Sequence, residues 1–108
     1  MSITIPRGKT DATLESMRTA LDGYLVDHPR AMISLYRQNA VSVRVRVVDP
    51  GFRGLEKSER HALVWRYLDR LPEEVQGDVS MLVLLAPGEE ATSLANLEFD
   101  DPSRSSIL

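Results

Sequence analysis

The segment that most constrains the fold is Val41–Val47, where Val41, Val43, Val45 and Val47 alternate with Ser42, Arg44 and Arg46. A period of two puts the valines on one face and predicts a strand buried on one side. Asp49-Pro50-Gly51 then ends it, because proline brings no N–H to a ladder and the three residues favour a turn. Beyond the turn the period becomes helical. Ser58 is a suitable cap for a helix over Glu59–Leu71, with Val64, Trp65, Leu68 and Leu71 as its apolar stripe. Pro72 and Gly77 close that helix.

The flanking segments complete the pattern. Leu14, Met17, Leu21, Tyr24 and Leu25 recur at helical steps behind a cap at Asp11 or Thr10, and Pro29 stops the run. Ala31–Tyr36 reads as a strand, and Arg37-Gln38-Asn39-Ala40 as the turn joining it to the valine strand in an antiparallel hairpin. Val79–Leu85 is an almost unbroken apolar run, expected to be buried on both faces or central in the sheet. Glu89–Leu97 is a candidate short last helix. The order is α-β-β-α-β(-α), which predicts an α+β fold: a three-stranded mixed sheet with helices packed on one face. The long crossover lets the third strand run parallel to one member of the hairpin. Residues 1–9 are expected to be a flexible lead-in, residues 10–97 a single domain, and residues 98–108 a disordered acidic and serine-rich tail.

Composition removes several function classes. The chain has 108 residues, 43% hydrophobic and 27% charged, which suits one soluble domain with a small core. A net charge of −3 argues against a general nucleic-acid or membrane binder, although it leaves room for a local basic patch. With no cysteine, disulfides, thiolate nucleophiles and cysteine-ligated metal are excluded. Two histidines in separate segments make a self-contained metal site unexpected, so no metal and no cofactor are predicted. There is no signal-peptide pattern at Met1–Pro6 and no apolar run of membrane-spanning length. A cytoplasmic protein is expected, with no membrane partner. No nucleophile elbow, phosphate loop or dinucleotide fingerprint is present, so no enzyme activity is expected.

The candidate site residues cluster around the turn after the valine strand. Gly51-Phe52-Arg53-Gly54 spells Gly-x-x-Gly ahead of a helix, the pattern with which KH domains hold nucleic-acid backbone. Arg53, Lys57, Arg60, Arg44 and Arg46 could add charge, while Glu56 and Glu59 dilute it. The structural alternative is a tight turn with Phe52 plugging the core. His61 is either a partner-facing or anion-binding imidazole or an ordinary helix-start histidine. Arg44 and Arg46 either meet an acidic partner or simply guard a solvent-facing strand. Trp65 belongs to the helical stripe and reads as core.

Phe52, Gly54, Arg60, His61, Val64 and Trp65 also stand at the spacing of a family pattern: Phe-x-Gly after the second strand, Arg-His six residues beyond the glycine, then an apolar helical stretch. In these residues and in element order, roughly residues 12–90 resemble the BolA family. The resemblance implies a small fold akin to the type II KH domain. It also implies partnership with monothiol glutaredoxins through a shared iron–sulfur cluster. Two departures bear on that chemistry. The hairpin loop, where family members place a Cys or His, is Arg37-Gln38-Asn39, and the position of the third-strand His is taken by Ser80. The expectation is therefore a BolA-like adaptor that binds a protein partner, glutaredoxin-like, without ligating a cluster. The alternative is a KH-like nucleic-acid module using Gly51–Gly54 and the nearby arginines.

Overall fold

The structure is a computed structural model, and it describes residues 3–4 and 11–100. Helix α1 spans Ala12–Asp27, strand β2 Met32–Asn39 and strand β3 Ser42–Val48. Helix α2 spans Lys57–Leu68, a short α3 Glu73–Gln76, strand β4 Val79–Leu85 and helix α4 Leu94–Asp100. A two-residue strand β1, Ile3–Thr4, precedes them all. Single 3-10 turns sit at Pro50–Phe52 and Glu90–Thr92.

Local chemistry accounts for most boundaries. The Asp11 carboxylate accepts from the Leu14 N–H at 2.9 Å and so caps α1. Helix α1 buries Leu14, Met17, Leu21 and Tyr24 and ends at Asp27, two residues before Pro29. The hairpin pairs Ile33 with Val47 and Leu35 with Val45, which turns both sets to the same face. Strand β4 runs parallel to β3, with Val45 opposite Leu82 and Val47 opposite Leu84. The sheet is thus mixed, as its crossover allows, in the order β1-β2-β3-β4.

One face of the sheet carries the main core. Ile33, Leu35, Val43, Val45 and Val47 meet Leu14, Met17, Leu21, Val64 and Leu68 from α1 and α2, with Phe52 wedged at the end. The opposite face has its own smaller cluster, in which Phe99 of α4 packs on Tyr36, Val83 and Leu85.

Several expectations change. The body of the sheet is the three expected strands, with β1 added beside β2. Residues 3–4 are therefore part of the sheet, while residues 1, 2 and 5–9 lie outside the described residues. Strand β2 continues to Asn39, past a bulge, so the turn is Ala40-Val41, and Val41 is 70% exposed and outside the valine stripe. Helix α2 starts at Lys57, before the expected Ser58 cap, because Glu56 and Glu59 form a reciprocal capping box. Trp65 is only half-buried, and Tyr67 takes the buried aromatic place at 6% exposure. Strand β4 is covered on both faces but lies at the sheet margin, not its centre. Helices α1 and α2 share one face, whereas α4 covers the other. The boundary at residue 98 also moves, since α4 reaches Asp100 and Phe99 is 2% exposed. Residues 101–108 lie outside the described residues.

Candidate functional site

The turn after β3 is built from its own side chains. One Asp49 carboxylate oxygen accepts from the Gly51 N–H at 2.8 Å, and its backbone carbonyl accepts from the Phe52 N–H. The Arg53 N–H donates to Pro50. Three of the four amides in Gly51–Gly54 are thus spent within the turn, and Phe52 is fully buried. A phosphate clamp needs those amides free and aimed outward. The loop instead has the geometry of the structural alternative, with Gly54 supplying the positive φ of +84° that the chain needs to enter α2.

Arg53 and Arg60 reach across to the loop after β4. Arg53 donates to the Pro87 carbonyl at 3.0 Å. Arg60 donates to the Leu55 and Leu84 carbonyls at 3.0 and 3.1 Å and forms a two-pronged pair with Glu89 at 2.7 and 3.1 Å. Its guanidinium also lies 5.7 Å from the Phe52 ring centre. The Arg60 bond, together with the Ala86 N–H, holds the Glu89 carboxyl down at about 2. Arg60 is a clamp joining the turn, α2 and the end of β4, and not an outward contact.

Arg44 and Arg46 need the same correction. The strand face that carries them is covered by α4, so neither is presented as a solvent-facing guard or a docking cation. Arg44 is 6% exposed and donates to Gln38 at 2.8 Å. Arg46 donates to Asn96 at 2.9 Å and Asp100 at 2.6 Å, and lies 4.7 Å from the Phe99 ring centre. Arg46 thus fastens α4 to the sheet, while Arg44 ties β3 to β2.

Lys57 and His61 remain outward. His61 is exposed and stacks on Trp65, with ring centres 5.4 Å apart and planes 15° from parallel. Both residues border a groove of about 670 Å³ along β4, lined also by Ser58, Leu82–Leu85, Thr92 and Ser93. The hairpin loop is not part of this surface. Arg37 bonds Asp11 and Asp78 at the start of β4, whereas Arg60 meets Leu84 near its end. Leu84 lies five residue steps along the strand from Val79, about 16 Å. His61 and the hairpin loop therefore do not form one face.

The positions at which the resemblance places cluster ligands carry other chemistry. Arg37 is a bonded guanidinium, and the Ser80 hydroxyl donates to the Val43 carbonyl at 3.3 Å. Neither offers a soft or imidazole donor, so these residues do not fit an iron–sulfur cluster. Among the described residues no three of His, Cys, Asp or Glu gather as metal ligands.

One cluster escaped the sequence. The Tyr24 hydroxyl donates to the buried Asp49 at 2.6 Å, and the Tyr24 ring stacks on His28 at 4.2 Å. His28 Nδ1 lies 3.6 Å from the same carboxylate. Burial, then the Asp49 bond, pushes the Tyr24 hydroxyl far above the ordinary tyrosine range. The group ties α1 to the turn after β3. Asp49 was visible only as part of a turn signal, and nothing local marks Tyr24 or His28 as its partners.

Taken together, the element order, the parallel β3–β4 pair and the turn leading into α2 define a BolA-like α+β fold. Among solved structures the chain is similar to BolA1 from Arabidopsis thaliana, with a TM-score of 0.50 and 23% sequence identity over 74% of this chain and 98% of that one. No protein-family model matches the sequence, and no curated protein does. Among the described residues no helix is long and apolar enough to cross a membrane.

Proposed function

We propose that the chain is a non-enzymatic adaptor on a BolA-like frame, binding a protein partner without ligating an iron–sulfur cluster. The observation that carries this reading is the exposed pair Lys57 and His61, the latter stacked on half-buried Trp65, beside an open, largely apolar groove. The other candidate cations, Arg44, Arg46, Arg53 and Arg60, make internal bonds, which favours this surface for recognition. A monothiol glutaredoxin is the candidate partner, on the strength of the fold and of the Phe52–Trp65 pattern. The KH-like nucleic-acid alternative draws no comparable support, because the turn amides it needs are occupied.

The test is gel filtration of the chain mixed with a cluster-loaded monothiol glutaredoxin, with the visible spectrum followed in parallel. A complex is expected, with the cluster absorption unchanged. Replacing Lys57 with Glu and His61 with Ala together should weaken it about tenfold, the loss of roughly 1.4 kcal/mol of contact. No complex at tens of micromolar, about the level at which a transient partner should register, sinks the glutaredoxin assignment.

A further inference from the structure

Strand β4 is the last in the sheet, and among the described residues no strand lies beyond it. Main-chain groups of successive strand residues point to alternate sides. The Leu85 carbonyl accepts from the Asp49 N–H, so Leu85 is turned towards β3, and Val83 with it. Leu82, Leu84 and Ala86 are then turned outward. Two bonds fix that parity: the Leu84 carbonyl accepts from Arg60 at 3.1 Å, and the Ala86 N–H donates to Glu89 at 3.0 Å. The Arg60–Glu89 pair therefore caps the far end of this margin. Short of the cap stand the N–H and C=O of Leu82 and the N–H of Leu84. Among the described residues, none of these three has a hydrogen-bond partner outside the sheet's own ladder.

The margin opens into the 670 Å³ groove. Lys57, Ser58 and His61 from α2 form one wall, and Thr92 and Ser93 the other. Among the described residues no carboxylate lines the groove, and Lys57 is exposed and makes no ion pair.

We propose that this margin accepts an extended peptide of a partner protein as an added strand, its sequence alternating apolar with acidic residues. The inference rests on the partner-binding reading above and narrows it to a class of peptide. Outward groups on Leu82 and Leu84 recur at the two-residue step of a strand, so a second strand satisfies them together. The half-buried side chains of Leu82 and Leu84 give alternate residues of the guest a place to bury. Lys57 and His61 favour a carboxylate on the α2 side. The Arg60–Glu89 cap stops the pairing beyond Leu84, so the added strand is short, which also protects the margin from indiscriminate edge-to-edge association.

The experiment uses the full chain, isotope-labelled, and the blocked peptide Val-Glu-Val-Glu-Val-Thr. Amide hydrogen exchange at Leu82 and Leu84 is measured with and without peptide at millimolar concentration. Exchange at both should slow at least about tenfold on saturation. The same peptide with N-methylated main-chain amides should fail, although its side chains are unchanged. A version with Lys for Glu should bind more weakly. Leu82→Pro should abolish binding, since it removes an outward N–H at a sheet edge. Should that variant not fold, Lys57→Glu with His61→Glu, both at exposed positions, replaces it and should weaken the acidic peptide while sparing the lysine version.

No slowing at millimolar peptide overturns the proposal, as does equal binding of the N-methylated form. Protection that grows with protein concentration in the absence of peptide overturns it in favour of a second copy. Protection by oligothymidylate overturns it in favour of nucleic acid. A failed peptide with an intact glutaredoxin complex rejects the added strand alone. Failure of both rejects the partner reading as well.

Discussion

Arg60 shows how one side chain can serve as the joint of the whole site. It holds Leu55, Leu84 and Glu89 at once and lies over Phe52, so the turn, the helix and the end of β4 share one cation. Its bond, with that of the Ala86 N–H, holds the Glu89 carboxyl down at about 2. A depressed carboxyl contributes stability that is fully present above its unfolded value and lost as pH falls towards its folded one. Unfolding free energy should therefore decline between about pH 4.5 and pH 2, and Glu89→Gln should flatten that part of the profile in urea titrations. The effect is modest, because the Glu89 side chain is 38% exposed and screened by solvent. An unchanged acid limb in the variant assigns the decline to other carboxylates. Arg60 was legible as a residue of interest, but its partner was not. Glu89 lies 29 positions away in a loop, and no periodicity links the two.

At the scale of elements, α4 is where sequence reasoning fell shortest. Seven residues are too few to signal a helix firmly, and the acidic Glu98-Phe99-Asp100 run resembles a solvated tail. What holds the element is tertiary. The Tyr36 hydroxyl donates to the Phe99 carbonyl at 2.8 Å, the two rings meet edge to face at 5.0 Å, and Arg46 bonds Asp100. Phe99→Ala should cost about 3 kcal/mol, the lower end for a buried phenylalanine in a small cluster, and exchange protection should fall in α4 and on the Tyr36 face. A loss below about 0.5 kcal/mol, the range of surface substitutions, shows that α4 contributes little. The valine strand is the converse case. Val43, Val45 and Val47 are fully buried as their alternation demands, because a period of two is a property of the backbone itself. Val41 departs only because the two-residue turn claims it.

At the scale of the molecule, the main core and the Phe99 cluster are separate, on opposite faces of one sheet. Cutting the chain after Glu90 keeps Glu89 on Arg60 and leaves every residue of the main core in place. Thermal unfolding followed by circular dichroism should remain cooperative, with a lower midpoint and a tendency to associate through the uncovered Tyr36, Val83 and Leu85. Loss of a cooperative transition shows that the two clusters fold as one unit. The local pattern of apolar residues, prolines and caps was enough to place α1, β2, β3, α2 and β4 and to indicate a mixed sheet, since each signal is read within a few residues of chain. It could not say which strand is the margin, which arginines lie under α4, or which carboxylates answer Tyr24 and Arg60. Those depend on contacts between residues 25 to 63 positions apart. Pairing at that separation is set by how the layers pack, and the same arginine types read alike in sequence whether they end buried, clamped or open to a partner.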